Sequence, residues 1–160
     1  TPDLPDPVGQ YPVARIGADG LPMPTLFRIT PEDAQAIPFR MLDSVNTLRA
    51  AAGAGALTLD AQLNAAAATH SRDMAVQNRP WHFGSDGSSP LDRLRRVGYM
   101  GALVGETISE SYEDDIATLA AWMELPATRD VILDRSATRM GIAWFQEDAG
   151  KIWWTMVLAR

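Results

Sequence analysis

Apolar residues in the first two thirds of this chain recur at helical spacing, and near its end they run almost without interruption. Met41, Val45, Leu48 and Ala52 fall on one stripe. That spacing predicts a helix over residues 38–52, with Gly53 as its stop. Just before it, Thr30-Pro31-Glu32-Asp33 has the form of a helix start: a threonine cap, a proline at the first position and acids in the first turn. Pro38 is expected to interrupt that first helix. Leu63, Ala66, Ala67, His70 and Met74 form a second stripe, capped by Asp60 and running to residue 78. Its alanines predict close approach to a neighbour and place His70 on the buried face. Ser89-Pro90-Leu91-Asp92 reads as a capping box opening a short helix that ends at Gly98. Val104, Glu106 and Ile108 alternate, as one face of a strand over 102–109 would. Ser111 is expected to cap a further helix with Glu113, Asp114 and Asp115 in its first turn. Its apolar stripe would be Ile116, Leu119, Ala120 and Met123. Pro126 ends it, and residues 127–133 add one more turn.

Residues 139–146 and 151–159 read as two strands joined around Glu147-Asp148-Ala149-Gly150. Ile142 and Trp144 oppose Ala143 and Phe145; Ile152, Trp154 and Met156 oppose Trp153 and Val157. Strands apolar on both faces are covered on both faces. With helices before and between the strands, the predicted fold is α+β: a three-layer α-β-α sandwich around a small antiparallel sheet. The Asp60 helix and the Ser111 helix are expected in different layers. Residues 1–34 read as a proline-rich arm, with six of the eleven prolines before Thr30. Its second half is expected to pack on the domain through Leu21, Met23, Leu26, Phe27 and Ile29. The domain proper is assigned to 35–160.

Composition narrows the function. A net charge of -6 and the absence of a basic stripe argue against binding nucleic acid. Arg93, Arg95 and Arg96 are the one basic cluster, read as a solvated helix face. No cysteine is present, so disulfides, thiolate catalysis and cysteine zinc sites are excluded. No apolar run is long enough for a transmembrane helix. His70, on an apolar helical face, reads first as a hydrogen-bonded core residue.

Several segments in order resemble the CAP superfamily of cysteine-rich secretory, antigen 5 and pathogenesis-related proteins, in its bacterial, cysteine-free branch. They are Leu42-Asp43-Ser44-Val45-Asn46-Thr47-Leu48-Arg49; Ala68-Thr69-His70-Ser71-Arg72-Asp73-Met74-Ala75; His82-Phe83-Gly84-Ser85-Asp86-Gly87-Ser88-Ser89-Pro90 with Asp92-Arg93; Gly105-Glu106-Thr107-Ile108; Trp122 with Arg129; Gly141-Ile142-Ala143; and Trp154-Thr155. The resemblance covers residues 39–158. It implies a secreted or periplasmic protein, which the absence of an initial Met also suggests; a monomer is expected.

The resemblance also implies a cleft lined by His70, His82, Ser85, Asp86, Glu106, Trp122 and Thr128. Many relatives place two histidines and two glutamates there, sometimes with a divalent metal. Here only His82 and Glu106 match. Thr128 stands where bacterial relatives commonly carry a histidine, and the last-strand histidine falls at or near Trp154. No cofactor is therefore expected, and divalent metal only weakly at His82 and Glu106. Two functions follow as expectations. One is a non-catalytic module binding a small molecule, a lipid or envelope material. The other is a hydrolase of peptide or envelope material with His82 and Glu106 as an acid–base pair and Ser71, Ser85, Ser88, Thr107 or water as nucleophile. If Glu106 is structural instead, it is expected to bond His82 and the 85–89 loop.

Overall fold

The computed structural model describes residues 16, 18–21 and 26–160. Residues 1–15, 17 and 22–25 of the expected arm, Met23 among them, lie outside the described residues, and Leu21 is exposed rather than packed. The last residues of the arm are held: Gln146 donates to the Phe27 carbonyl and accepts from the Ile29 amide, and Phe27 and Ile29 pack on the core.

Helix α1 spans Pro31–Ala51. Thr30 and Asp33 form a reciprocal capping box at its start. The expected break at Pro38 does not occur. A mid-helix proline costs about 3 kcal/mol through a lost hydrogen bond and ring crowding. Here Ile37, Met41 and Val45 lie fully buried on both sides of it, and burying each contributes about 1.5–3 kcal/mol. Packing therefore carries the helix through. At its end the fully buried Arg49 donates to the carbonyls of Gly55, Ile132, Asp134 and Ala137, tying α1 to the far side of the fold.

Next come β1 (Thr58–Leu59), α2 (Ala61–Gln77), α3 (Pro90–Arg96), β2 (Leu103–Ser111), α4 (Asp115–Glu124), α5 (Pro126–Ile132), β3 (Arg139–Gln146) and β4 (Ile152–Ala159). Asp60 caps α2 and Ser89 caps α3, both as expected. The sheet order is β1-β3-β4-β2. The three long strands pair antiparallel, but the short β1 pairs parallel with β3, so the sheet is mixed. A two-residue strand carries too little alternation to be seen in a sequence.

Helix α4 differs from expectation in cap and in face. Its cap is Asp114, because Ser111 is still in β2. The side turned inward is Asp115, Thr118, Leu119 and Trp122, while Ile116 remains 40% exposed. Asp115 is buried because Arg40 of α1 pairs with both its oxygens, at 2.9 and 2.8 Å. An ion pair, invisible to apolar periodicity, fixes the rotation of this helix.

The two layers of helices follow from the strand register. Gly105, Glu106 and Thr107 face Leu158, Val157 and Met156. Opposed residues share a face and neighbours along a strand alternate. Leu158 and Met156 pack with α1, α4 and α5 residues, whereas Val157 packs with α2 residues. Glu106 therefore points to the α2 side, and Gly105 and Thr107 point to the other. Among the described residues no helix is long and apolar enough to cross a membrane.

Candidate functional site

The site is built where the 81–89 segment folds back over β2. Helix α2 ends at Asn78 in the left-handed conformation (φ 52°), which turns the chain across the sheet. Arg79 then stacks over Trp81 at 3.7 Å, and the Trp81 indole N–H donates to Gln77 at 2.7 Å. Asp73 of α2 accepts from the Ser85 amide at 2.7 Å, and Asp86 accepts from the Ser88 amide. Gly84 sits inside this turn: a Cβ there would meet Ser88 Oγ at 2.5 Å and Asp86 Oδ1 at 2.8 Å. A side chain there would have to displace Ser88 and Asp86 from the bonds that shape the turn, which accounts for glycine at this position.

At the centre is Glu106, its side chain 2% exposed. His82 Nδ1 lies 3.0 Å from Oε1. Arg93 Nη2 lies 2.9 and 2.7 Å from the two oxygens and 2.9 Å from the His82 carbonyl. The expectation of a solvated face fails for Arg93, which is buried at 4% exposure. The expected bonds from Glu106 to the 85–89 loop are absent among the described residues. Arg93 makes that connection, through the His82 and Ser88 carbonyls. A carboxylate on an inward-facing strand needs a partner when buried, and the capping box of α3 aims a guanidinium at it. That requirement calls for a cation in the sequence but does not single out Arg93 from Arg95 and Arg96.

His70 lies fully buried beside this pair. Its Nε2 is 2.7 Å from the Trp81 carbonyl and 3.7 Å from Glu106 Oε1. A carbonyl only accepts, so Nε2 carries the proton and Nδ1 is an acceptor. Nδ1 has no partner. Burial, assisted by the Arg93 charge and opposed by Glu106, holds the imidazole pKa below its ordinary value, so the ring is neutral.

A pocket of about 220 Å³ opens beside the cluster, between α2, the 85–88 turn and α3. His70, Asp73, Ser85, Asp86, Arg93 and Arg96 line it, with Arg96 paired to Asp86 at 2.7 Å. The structure thus brings His70, Ser85 and Asp86 to one pocket; Glu106 and the half-exposed His82 are outside its lining and are joined to it through Arg93.

Trp122 and Thr128 are not there, and their placement in the cleft is corrected. Trp122 lies in the core of the opposite layer and donates to the Ile108 carbonyl. Thr128 caps the α4–α5 junction by donating to the Trp122 and Leu125 carbonyls. Helix α5 covers Gly105 through Val131, on the face away from Glu106. In β4 it is Trp153, not Trp154, that shares the α2 face. Ser71 is committed to Thr155 at 2.7 Å and is fully buried; Thr107 points to the opposite layer.

Two imidazoles and one carboxylate converge here, but the Arg93 guanidinium takes both carboxylate oxygens and His70 commits Nε2 to the Trp81 carbonyl, so a divalent metal at Glu106 would have to displace Arg93.

The profile of the CAP family, "Cysteine-rich secretory protein family", matches residues 42–158. The uncharacterized protein YkwD of Bacillus subtilis is 26% identical over 123 residues, spanning 77% of this chain and 47% of that protein. An extracellular protein containing an SCP domain from Bacillus anthracis superposes with a TM-score of 0.73 at 24% identity, over 84% of this chain and 45% of that one. An outer surface protein of Borrelia burgdorferi superposes with a TM-score of 0.68 at 13% identity, over 86% of this chain and 98% of that one. The chain thus spans about half the length of its Bacillus relatives. Although it carries no cysteine, the chain belongs to the cysteine-rich secretory protein (CAP) family.

Proposed function

We propose that this domain is a non-catalytic, extracytoplasmic binding module whose ligand sits in the pocket between α2, the 85–88 turn and α3. The observation that carries this reading is the state of Glu106. Both of its oxygens are engaged by Arg93, one also by His82, and 2% of the side chain reaches solvent. A general acid or base must reach a substrate proton directly or through one water. A carboxylate locked this way serves the loop instead. The extracytoplasmic setting is supported by relatives described as an extracellular protein and an outer surface protein.

Sedimentation with purified bacterial sacculi tests the proposal. The domain is expected to co-sediment, Thr69→Trp at the pocket rim to stay in solution, and Glu106→Gln to keep binding as long as it stays folded. Mass spectrometry of the supernatant should show no released fragment. Fragments that appear with time, and vanish in both Glu106→Gln and His82→Ala, would establish the hydrolase in its place.

A further inference from the structure

The pocket carries an unusual feature for a protein interior. His70 is fully buried, it lines the pocket, and its Nδ1 is an acceptor without a partner. Buried polar atoms are paired in the great majority of cases, and an unpaired one is costly. The tautomer is fixed by the Trp81 carbonyl, so the ring cannot turn this nitrogen into a donor. A donor that enters through the pocket, a water or a ligand hydroxyl, would satisfy it.

The rest of the lining says what kind of donor. Both arginines are already paired, Arg93 with Glu106 and Arg96 with Asp86. An incoming phosphate or carboxylate therefore meets no unpaired cation among the lining residues and is repelled by Asp73 and Asp86. The remaining groups are the carboxylates, the hydroxyls of Thr69, Ser85 and Ser88, and the apolar side chains of Ala66 and Val97. They suit a neutral molecule that presents several hydroxyls. Outside the pocket lining, on the same 81–89 segment, Trp81 and Phe83 pack edge to face at 5.6 Å, with Phe83 48% exposed. Gln77 bridges the two regions, donating to Asp73 and to the Phe83 carbonyl while accepting from Trp81. Arg79 covers the Trp81 ring, so the apolar side is offered by Ala66 and Val97 in the lining and by the exposed Phe83 ring; beside a set of acceptors, that matches the two sides of a sugar ring. At about 220 Å³ the pocket is smaller than the roughly 300–1,000 Å³ of drug-sized sites.

Resting on the reading of this pocket as a binding site, we infer that its ligand is one unit of a neutral saccharide, with a ring hydroxyl donating to His70 Nδ1. The phosphate and choline arms below separate failure of this inference from failure of that reading. The test is a titration of ¹⁵N-labelled protein with chitotriose and maltotriose, following the side-chain nitrogens of His70. Before addition, Nε2 should be protonated and Nδ1 bare. A saccharide should move the Nδ1 resonance in the direction of an accepted hydrogen bond and shift the Ser85 and Ser88 amides. His70→Gln, which keeps a donor for Trp81, should weaken binding by about tenfold or more. Thr69→Trp should abolish the shifts.

Inorganic phosphate and choline should move none of these signals. If either does, and Thr69→Trp blocks it, the pocket binds ligand but of another class, and the saccharide inference is overturned alone. If both saccharides leave Nδ1 unmoved, the inference is overturned, and the sacculus sedimentation decides the binding module separately. Should His70→Gln fail to fold, the wild-type nitrogen spectra still decide between these outcomes.

Discussion

Towards α1, α4 and α5, strands β3 and β4 present Met140, Ile142, Ile152, Trp154, Met156 and Leu158 to Ile37, Met41, Val45, Leu119, Trp122 and Ile132. Towards α2, they present Gly141, Ala143, Thr155, Val157 and Ala159 to Leu63, Ala66, Ala67 and Ser71. The first face is large side chains filling space. The second is a close helix, small residues and polar atoms bonded across the gap. Among the described residues, each face holds one buried polar side-chain atom without a partner, Thr107 Oγ1 on the first and His70 Nδ1 on the second. Of these two, the second lines the pocket. Burial of apolar area stabilises the domain chiefly through the first face. The second face gives up part of that stability to groups that need matched partners, and this is where the candidate site lies.

The largest break in the contrast should come from the ion pair on the polar face. Arg93→Met leaves Glu106 buried without its counter-charge, and loss of one partner of a buried pair typically costs about 3–5 kcal/mol. Glu106→Leu should cost a similar amount. Arg93→Met with Glu106→Leu should recover much of the loss, because neither charge remains to be desolvated. Urea unfolding of the four proteins gives the coupling. Additive losses would show that the pair does not act as a unit.

The glycines probe how closely each layer approaches. A Cβ on Gly141 would run into the Leu63 carbonyl carbon and the Asn64 nitrogen, which are backbone of α2. Gly141→Ala should therefore destabilise by about 1–3 kcal/mol, since backbone cannot step aside. A Cβ on Gly105 would meet the Val131 methyls, at 2.7 Å. A side chain can rotate or shift, so Gly105→Ala should cost the smaller amount. Equal melting temperatures for the two variants would remove the distinction between the faces.

The same contrast explains what was legible in the sequence. The apolar face follows local rules: the stripe of α1, the uninterrupted runs of β3 and β4 and the caps Asp60 and Ser89 can all be read from neighbouring residues. His82 and Glu106 are placed together by resemblance, and they lie 3.0 Å apart. Arg93, Arg40 and Asp115 escape such a reading for one reason. A buried charge looks like a surface charge until its partner, 13 or 75 positions away, is known. Thr128 fails differently. Its position in the motif is right, but α5 lies over Gly105, and one residue along a strand is the difference between two faces.

His70 supplies a pH dependence of intermediate size. Its pKa is held down in the folded protein by burial, while the unfolded chain protonates near the ordinary 6.5. Below that value the unfolded state binds a proton that the folded state refuses, so stability falls as pH drops. The loss runs from about 6.5 down to the depressed folded value, at up to about 1.4 kcal/mol per pH unit. His70→Gln should remove this component. Urea midpoints measured from about pH 7 to 5 on both proteins give the slope. Parallel curves would mean that the imidazole protonates as readily folded as unfolded.

The smallest effect is expected at Thr128, and it separates resemblance from geometry. Its hydroxyl donates to the Trp122 and Leu125 carbonyls at the α4–α5 junction, where Leu125 offers no side-chain cap. Thr128→Ala should cost no more than about 0.5–1.5 kcal/mol, the worth of a partly exposed hydrogen bond. By resemblance alone, Thr128→His would complete a zinc site with His82 and Glu106. By geometry it cannot, because residue 128 is carried on the α5 layer and Glu106 points to α2, with the sheet between them. Nor would Glu106 be available, since Arg93 holds both its oxygens. Calorimetric titration with zinc should therefore give the same weak response for wild type and Thr128→His. Uptake of about one zinc by the variant, lost again in His82→Ala, would place residue 128 beside Glu106 and overturn the assignment of α5 to the opposite face.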